Sequence, residues 1–119
     1  GNKRAYYWGD LLNGDKANCC GVFPCGTETK GKYLGKTTVV GSYEKLAPHP
    51  WGLCDMHGNV SEWCDNLYIA GGRQRVIRGG SWYDRAENCR SVSRAPLYPQ
   101  FKKDYVGFRV ALIPSDEGN

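Results

Sequence analysis

Apolar positions in this chain come as short runs and singletons, broken by glycine, proline and charged residues. Nowhere do they recur at the three-and-four spacing of an amphipathic helix, so the pattern predicts a turn-rich fold of short strands. Strand-like runs fall at 37–43, 59–67, 75–78, 89–94 and 106–113. Gly79-Gly80 ahead of Ser81-Trp82 predicts a tight bend with a large anchor, residues 83–88 have room for one helical turn, and 95–105 reads as a loop. Residues 19–35 read as a long surface loop and 113–119 as a tail with a polar end. Tyr6-Tyr7-Trp8 is an aromatic cluster with no start signal before it, so the chain reads as beginning in mid-fold. Pro48 and Pro50 exclude helix before the densest stretch, Trp51 to Trp63. There Trp51, Leu53 and Trp63 supply apolar area, and Gly58-Asn59 offers a turn at positive φ.

With 119 residues, 40% of them hydrophobic and 13% aromatic, the chain can pack one domain. No run reaches the length of a membrane span, and no basic-then-apolar leader opens the chain. The net charge of +4 sits unevenly. Arg73, Arg75, Arg78, Arg85, Arg90, Arg94, Lys102, Lys103 and Arg109 face only Asp84, Glu87 and Asp104 in the same region. Such an excess attracts anions. Yet these arginines alternate with apolar residues and sit in no nucleic-acid motif, so bonds to carbonyls and carboxylates are the favoured reading and nucleic acid is disfavoured.

Cys19, Cys20, Cys25, Cys54, Cys64 and Cys89 lack the paired spacing of a zinc site. An even count allows disulfides and slightly favours an extracytoplasmic address. Connectivity stays open, with Cys64 one candidate partner for Cys89. Asp55 and Glu62 flank the Gly58-Asn59 turn, where carboxylates and freed carbonyls suit Ca²⁺; a hairpin with its acids in water fits the same spacing. His49 and His57 read as structural hydrogen-bonding groups, and Asn59-Val60-Ser61 has the form of a glycosylation sequon.

Three segments carry a specific resemblance: Gly52-Leu53-Cys54-Asp55-Met56-His57-Gly58-Asn59-Val60-Ser61-Glu62-Trp63, Arg75-Val76-Ile77-Arg78-Gly79-Gly80-Ser81-Trp82, and Gly107-Phe108-Arg109-Val110-Ala111-Leu112. With Trp8-Gly9-Asp10 and Cys89-Arg90, they resemble the formylglycine-generating enzyme (sulfatase-modifying factor) family over about residues 8–112. The resemblance implies an α+β, C-type-lectin-like fold with little helix. It makes residues 1–119 a single partial domain, the C-terminal part of the family's domain. The upstream part, or another chain, is then expected to pair with strand 106–113, whose unpaired edge would otherwise be an aggregation hazard.

The family's enzymes oxidise a sulfatase cysteine with O₂ and a copper ion held by two thiolates. The resemblance places the second thiolate on Cys89 and the oxygen-pocket serine on Ser81, but puts Asp84 where the first thiolate belongs and Ser61 where a tryptophan belongs. Cu(I) selects soft sulfur, so copper and catalysis are disfavoured, leaving Ser81, Asp84 and Cys89 as remnants. The family's calcium ligands fall on the side chains of Asp55 and Glu62 and the carbonyls of Gly58 and Val60. Its other calcium site, starting at Asn18-Cys19, lacks its acidic partner near 32–34.

The leading function is a non-catalytic, calcium-stabilised module that binds a ligand or assembles with a protein through loops 83–88 and 95–105. The candidate surface is Tyr83, Asp84, Arg85 and Glu87 with Leu97, Tyr98, Phe101, Lys102 and Tyr105. These positions look similar to the loop region altered in retroelement-diversified proteins. The alternatives are a copper-dependent formylglycine-generating oxidase and a substrate-pocket domain of an iron-dependent sulfoxide synthase. Cys89 beside Arg85 and Arg90 also reads as a reactive thiol, with packing the favoured role.

Overall fold

The computed structural model describes residues 3–115. Among the described residues, helix and strand elements lie only in the second half. Strand β1 (Ser61–Leu67) follows the central turn, β2 is Arg75–Arg78, a 3-10 turn covers Ala86–Cys89, β3 is Arg94–Leu97 and β4 is Val106–Gly107. They form one sheet in the order β3-β2-β1-β4. β1 and β3 both run antiparallel to β2, whereas β4 runs parallel to β1. Among the described residues the helical part of the α+β reading is this 3-10 turn, so the fold is strands and loops with little helix.

Each element has a local cause. In β2, Val76 and Ile77 are consecutive and both buried, so they lie on opposite faces of a strand covered on both sides by the fold. β3 differs from expectation: the strand is Arg94–Leu97, which lies in the segment read as a loop save for Arg94, while 89–93 holds the end of the 3-10 turn and a turn. Pro96 hid it, and is tolerated because β3 lies at the sheet edge. The final strand is corrected as well. Only Val106–Gly107 pairs, and beyond it Phe108, Val110 and Leu112 are exposed. Alternation supplies a face, but a strand needs backbone beside it.

The run at 37–43 forms no strand either, because its amides bond to side chains: Thr38 N–H donates to Asn59 Oδ1 (3.0 Å) and Gly41 N–H to Asp55 Oδ2 (2.9 Å). The central turn is as expected, with Gly58 at φ 76° and Asn59 at φ 69°. A Cβ on Gly58 would stand 2.5 Å from Asn18 O. Asn59 is buried and its amide donates to Asn18 O (2.7 Å), an internal role for the sequon residue.

The core lies elsewhere than expected. Trp51 is 84% exposed and Leu53 is exposed, while Trp63 is only partly buried. The buried cluster is Tyr6, Leu12, Ala17, Cys19, Ala86 and Cys89, drawn from irregular segments and the 3-10 turn. Backbone pairs hold those segments: Leu12 with Cys25, and Tyr6 with Gly9. The Tyr6 hydroxyl donates to Ala86 O (2.6 Å), and its ring stacks on Trp8 at 5.0 Å. Burial holds the Tyr6 phenol far above its ordinary pKa.

Candidate functional site

Ser81 and Asp84 sit where Gly79-Gly80 turns the chain out of β2. Asp84 Oδ2 accepts from Ser81 N–H (2.9 Å) and Ser81 Oγ–H (2.8 Å), and its carbonyl accepts from Cys20 N–H (2.7 Å). The Asp84 carboxylate is therefore a brace for the bend. Gly80 is required here: a Cβ would lie 2.4 Å from Cys89 Sγ, and φ is 70°.

Behind this bend a cavity of about 300 Å³ is lined by Ser61, Arg78, Asp84, Asn88, Arg94 and Tyr105, among others. Leu97 also reaches it. Its guanidiniums are anchored: Arg78 donates to Ser91 O (3.4 Å), and Arg94 donates to Tyr68 O (3.0 Å) while lying over the Tyr68 ring at 4.6 Å. Arg75, Arg90 and Arg109 likewise bond to carbonyl oxygens, as the alternating pattern suggested. A second cavity of about 540 Å³ is walled by Phe23, Tyr33, Tyr83, Asp84, Arg85 and Asn88, among others. Arg85 covers the Phe23 ring at 4.3 Å, and Tyr83 stacks on Tyr105 at 6.2 Å.

The expected ligand surface is thus partly assembled. Asp84, Leu97 and Tyr105 share one cavity, and Tyr83, Asp84 and Arg85 share the other. Glu87 turns with Arg85 toward Pro24 and Lys30 around a smaller cavity of about 280 Å³. Tyr98 packs on Phe101 at 6.0 Å, with Lys103 over the Phe101 ring, and Lys102 is exposed. Arg78, Arg94, Phe23 and Tyr33 were missed as cavity-lining residues. Nothing in their spacing marks them, because β2–β3 pairing and the fold-back of 20–33 bring them in.

All four expected calcium ligands line a cavity of about 250 Å³: Asp55, Gly58, Val60 and Glu62. Of these four, the Glu62 carboxylate already has a cationic partner. Arg109 Nη2–H donates to Glu62 Oε1 (2.8 Å), Cys54 O (2.8 Å) and Asp55 O (3.3 Å), and Nε–H lies 3.2 Å from both Glu62 oxygens. The Glu62 bond raises the Arg109 pKa. The expected donors are all hard oxygen around one cavity, the ligand type that Ca²⁺ takes, with Arg109 as competitor for Glu62. Among the described residues no three His, Cys, Asp or Glu side chains gather as a metal set, so a cation here would need backbone carbonyls as ligands. At the other implied site, Asn18 Nδ2–H donates to Lys36 O (2.9 Å), while Asn18 Oδ1 is buried without a hydrogen-bond partner.

His57 joins three segments. Its Nδ1 lies 2.6 Å from Cys89 O, and Nε2 accepts from Tyr7 N–H at 3.4 Å. A neutral ring protonated on Nδ1 satisfies both bonds, and burial lowers its pKa. His49 Nδ1 accepts from Trp51 N–H (3.0 Å). All six cysteines are free thiols. The suggested Cys64–Cys89 pairing is corrected: Cys64 lies in β1 and bonds to Glu62 O, whereas Cys89 is buried in the Tyr6 cluster with its Sγ–H on Arg85 O (3.7 Å).

Residues 1–113 match the sulfatase-modifying factor enzyme 1-like domain, and the chain belongs to this family. It is 32% identical over 116 residues to the inactive C-alpha-formylglycine-generating enzyme 2 of Mus musculus, covering 91% of this chain and 36% of that protein. It is 31% identical over 130 residues to the formylglycine-generating enzyme of Streptomyces coelicolor, covering 91% of this chain and 40% of that one. Among solved structures, Treponema denticola variable protein 1 superposes with a TM-score of 0.60 at 27% identity, over 79% of this chain and 34% of that one. The chain therefore spans well under half the length of each of these relatives. Among the described residues no helix is long and apolar enough to cross a membrane.

Proposed function

We propose that this chain is a non-catalytic binding module with the C-type-lectin-like fold that its family implies, taking its ligand at the cavities around Asp84. The observation that carries this reading is the Asp84–Ser81 brace. Its carboxylate holds the loop that a copper enzyme uses to present a thiolate, and a carboxylate is a poor partner for Cu(I). The cavities on either side combine anchored guanidiniums with aromatic walls, the mixture that suits an anionic or ring-bearing ligand. The relative named as inactive supports the reading, as does the structural likeness to a protein named as variable.

The test is anaerobic Cu(I) titration of the reduced protein against a competing chelator, followed by assay with O₂ and a sulfatase-type cysteine peptide. The expected result is no copper-dependent conversion of the peptide. Conversion that requires Cys89 overturns the reading in favour of the copper-dependent oxidase.

In the same reading Ca²⁺ is held by Asp55 and Glu62 with the carbonyls of Gly58 and Val60, and it supplies structural cross-linking rather than chemistry. Thermal melts should shift upward with Ca²⁺, and Glu62→Gln should remove the shift. An unchanged melt in Ca²⁺ and in chelator overturns this part. The exposed apolar run 108–113 is covered by a further stretch of the same domain, since the relatives matched are more than twice as long.

A further inference from the structure

Arg75, Arg78, Arg90, Arg94 and Arg109 spend N–H groups on carbonyl or carboxylate oxygens of the protein. Arg85 differs. Its guanidinium lies 4.3 Å over the Phe23 ring, and among the described residues it donates no hydrogen bond and has no carboxylate within ion-pair distance. The ring holds the guanidinium in place and leaves its N–H groups free, the condition for receiving a carboxylate from outside.

This fork stands at the wall of the 540 Å³ cavity, which Phe23, Tyr33 and Tyr83 also line. Those rings are 47%, 44% and 64% exposed, so three open aromatic surfaces meet one cation. The Asn88 side-chain amide and the hydroxyls of Tyr33 and Tyr83 likewise have no hydrogen-bond partner among the described residues. Backbone fixes the walls to one another. Cys20 N–H donates to Asp84 O (2.7 Å) and Ala86 N–H to Phe23 O (3.2 Å), which clamps 20–23 against 84–86. Gly21 N–H to Lys32 O (2.9 Å) and Gly31 N–H to Gly21 O (2.8 Å) bring Tyr33 beside them. The Tyr33 ring lies 6.3 Å from Trp82, which meets Tyr83 edge-on at 5.8 Å. Walls pinned in this way cost little to order when a ligand enters.

Charge narrows the ligand. Asp84 also lines the cavity, with Oδ2 bonded to Ser81, so one cation faces one carboxylate. Behind the Arg85–Phe23 shelf, the smaller cavity carries Lys30 and Glu87, whose charges cancel. A single incoming carboxylate is matched by the one fork, whereas a doubly charged phosphate ester keeps uncompensated charge beside Asp84.

We propose that the Phe23–Tyr33–Tyr83–Arg85 cavity binds a small aromatic carboxylate, with its ring against the aromatic walls and its carboxylate on the Arg85 fork. The assignment rests on the binding-module reading and gives that module its ligand class.

The test titrates the full chain with benzoate, benzamide, cyclohexanecarboxylate and phenyl phosphate, followed by two-dimensional amide NMR. Benzoate should shift amides in 20–23 and 83–88 with a Kd of about 1 mM, the affinity open to a ligand of so few atoms. Benzamide keeps the ring without the charge, and cyclohexanecarboxylate keeps the charge without the flat ring. Each should bind about tenfold more weakly, and phenyl phosphate no more tightly than benzoate. Arg85→Gln should reduce benzoate to the benzamide level, and Tyr83→Ala should weaken it about fivefold. Arg73→Gln, an equal loss of charge outside the cavity, should change nothing. Arg85 and Tyr83 are exposed, so both variants should fold, and the wild-type panel decides the matter even where one does not. Equal affinities for benzoate, benzamide and cyclohexanecarboxylate overturn the assignment, as do tighter phenyl phosphate binding, benzoate binding that survives Arg85→Gln, or no shift at about 10 mM benzoate. The two readings fail separately. A chain that ignores benzoate and makes no copper-dependent product loses this ligand class alone, whereas copper-dependent conversion removes the module reading whatever benzoate does.

Discussion

The segments around Tyr6 and the run 108–113 are both apolar, yet they end in opposite states. Tyr6, Leu12 and Cys19 have no regular secondary structure and are almost completely buried. Phe108, Val110 and Leu112 alternate as a strand should and stand in solvent, with Leu112 94% exposed. Periodicity describes which side chains share a face, but burial depends on whether other chain can be brought against that face. Around Tyr6 this is done by bonds over long sequence separation, such as Tyr6 Oη–H to Ala86 O and Ser91 N–H to Ala5 O (2.8 Å). Among the described residues β1 pairs only with Val106 and Gly107, just ahead of the apolar run.

The contrast can be tested from its strongest side first. Tyr6→Ala removes a fully buried stacked ring and should cost roughly 3–5 kcal/mol, read by urea denaturation. Gly80→Ala forces a Cβ into Cys89 Sγ at a positive φ and should cost about 3 kcal/mol by the same measurement. A loss under about 0.5 kcal/mol for either would mean that the loops, not this cluster, set stability.

His57 gives the core a pH signature. Burial places its folded pKa below 6.5, so between 6.5 and that lower value the unfolded chain binds a proton that the folded chain excludes. Stability should therefore fall as pH drops through this window, by up to about 1.4 kcal/mol per pH unit, and stay flat for this group above 6.5. His57→Asn, which keeps a donor for Cys89 O, should flatten the acid side of a pH series of denaturation midpoints.

Smaller effects belong to the C-terminal side. Arg109→Gln breaks the Glu62 ion pair, whose groups are partly solvated, and should cost about 1 kcal/mol in denaturation. Val110→Asp with Leu112→Asp should change stability by less than about 0.5 kcal/mol, because these side chains are exposed. The same pair should reduce self-association in light scattering if the apolar run is an uncovered edge. A stability loss comparable to Tyr6→Ala would show that the run is packed after all.

Much of the family-level picture was legible in sequence: the Asn59-Val60-Ser61-Glu62-Trp63, Arg78-Gly79-Gly80-Ser81-Trp82 and Gly107-Phe108-Arg109 motifs, the turn at Gly58-Asn59, β2, and the short helical turn before Cys89. These are local, fixed by glycine conformation and by apolar residues adjacent in the chain. Tertiary structure alone decided that Trp51 is outside and Cys19 inside, that Pro96 lies in an edge strand, that Arg109 reaches Glu62, and that Cys19 and Cys89 share one buried cluster. Each joins or separates residues distant in sequence, where the competition is between alternative partners for a polar group or an apolar face. No spacing rule within a single chain ranks those partners, because the outcome depends on which segments can occupy the same space at once.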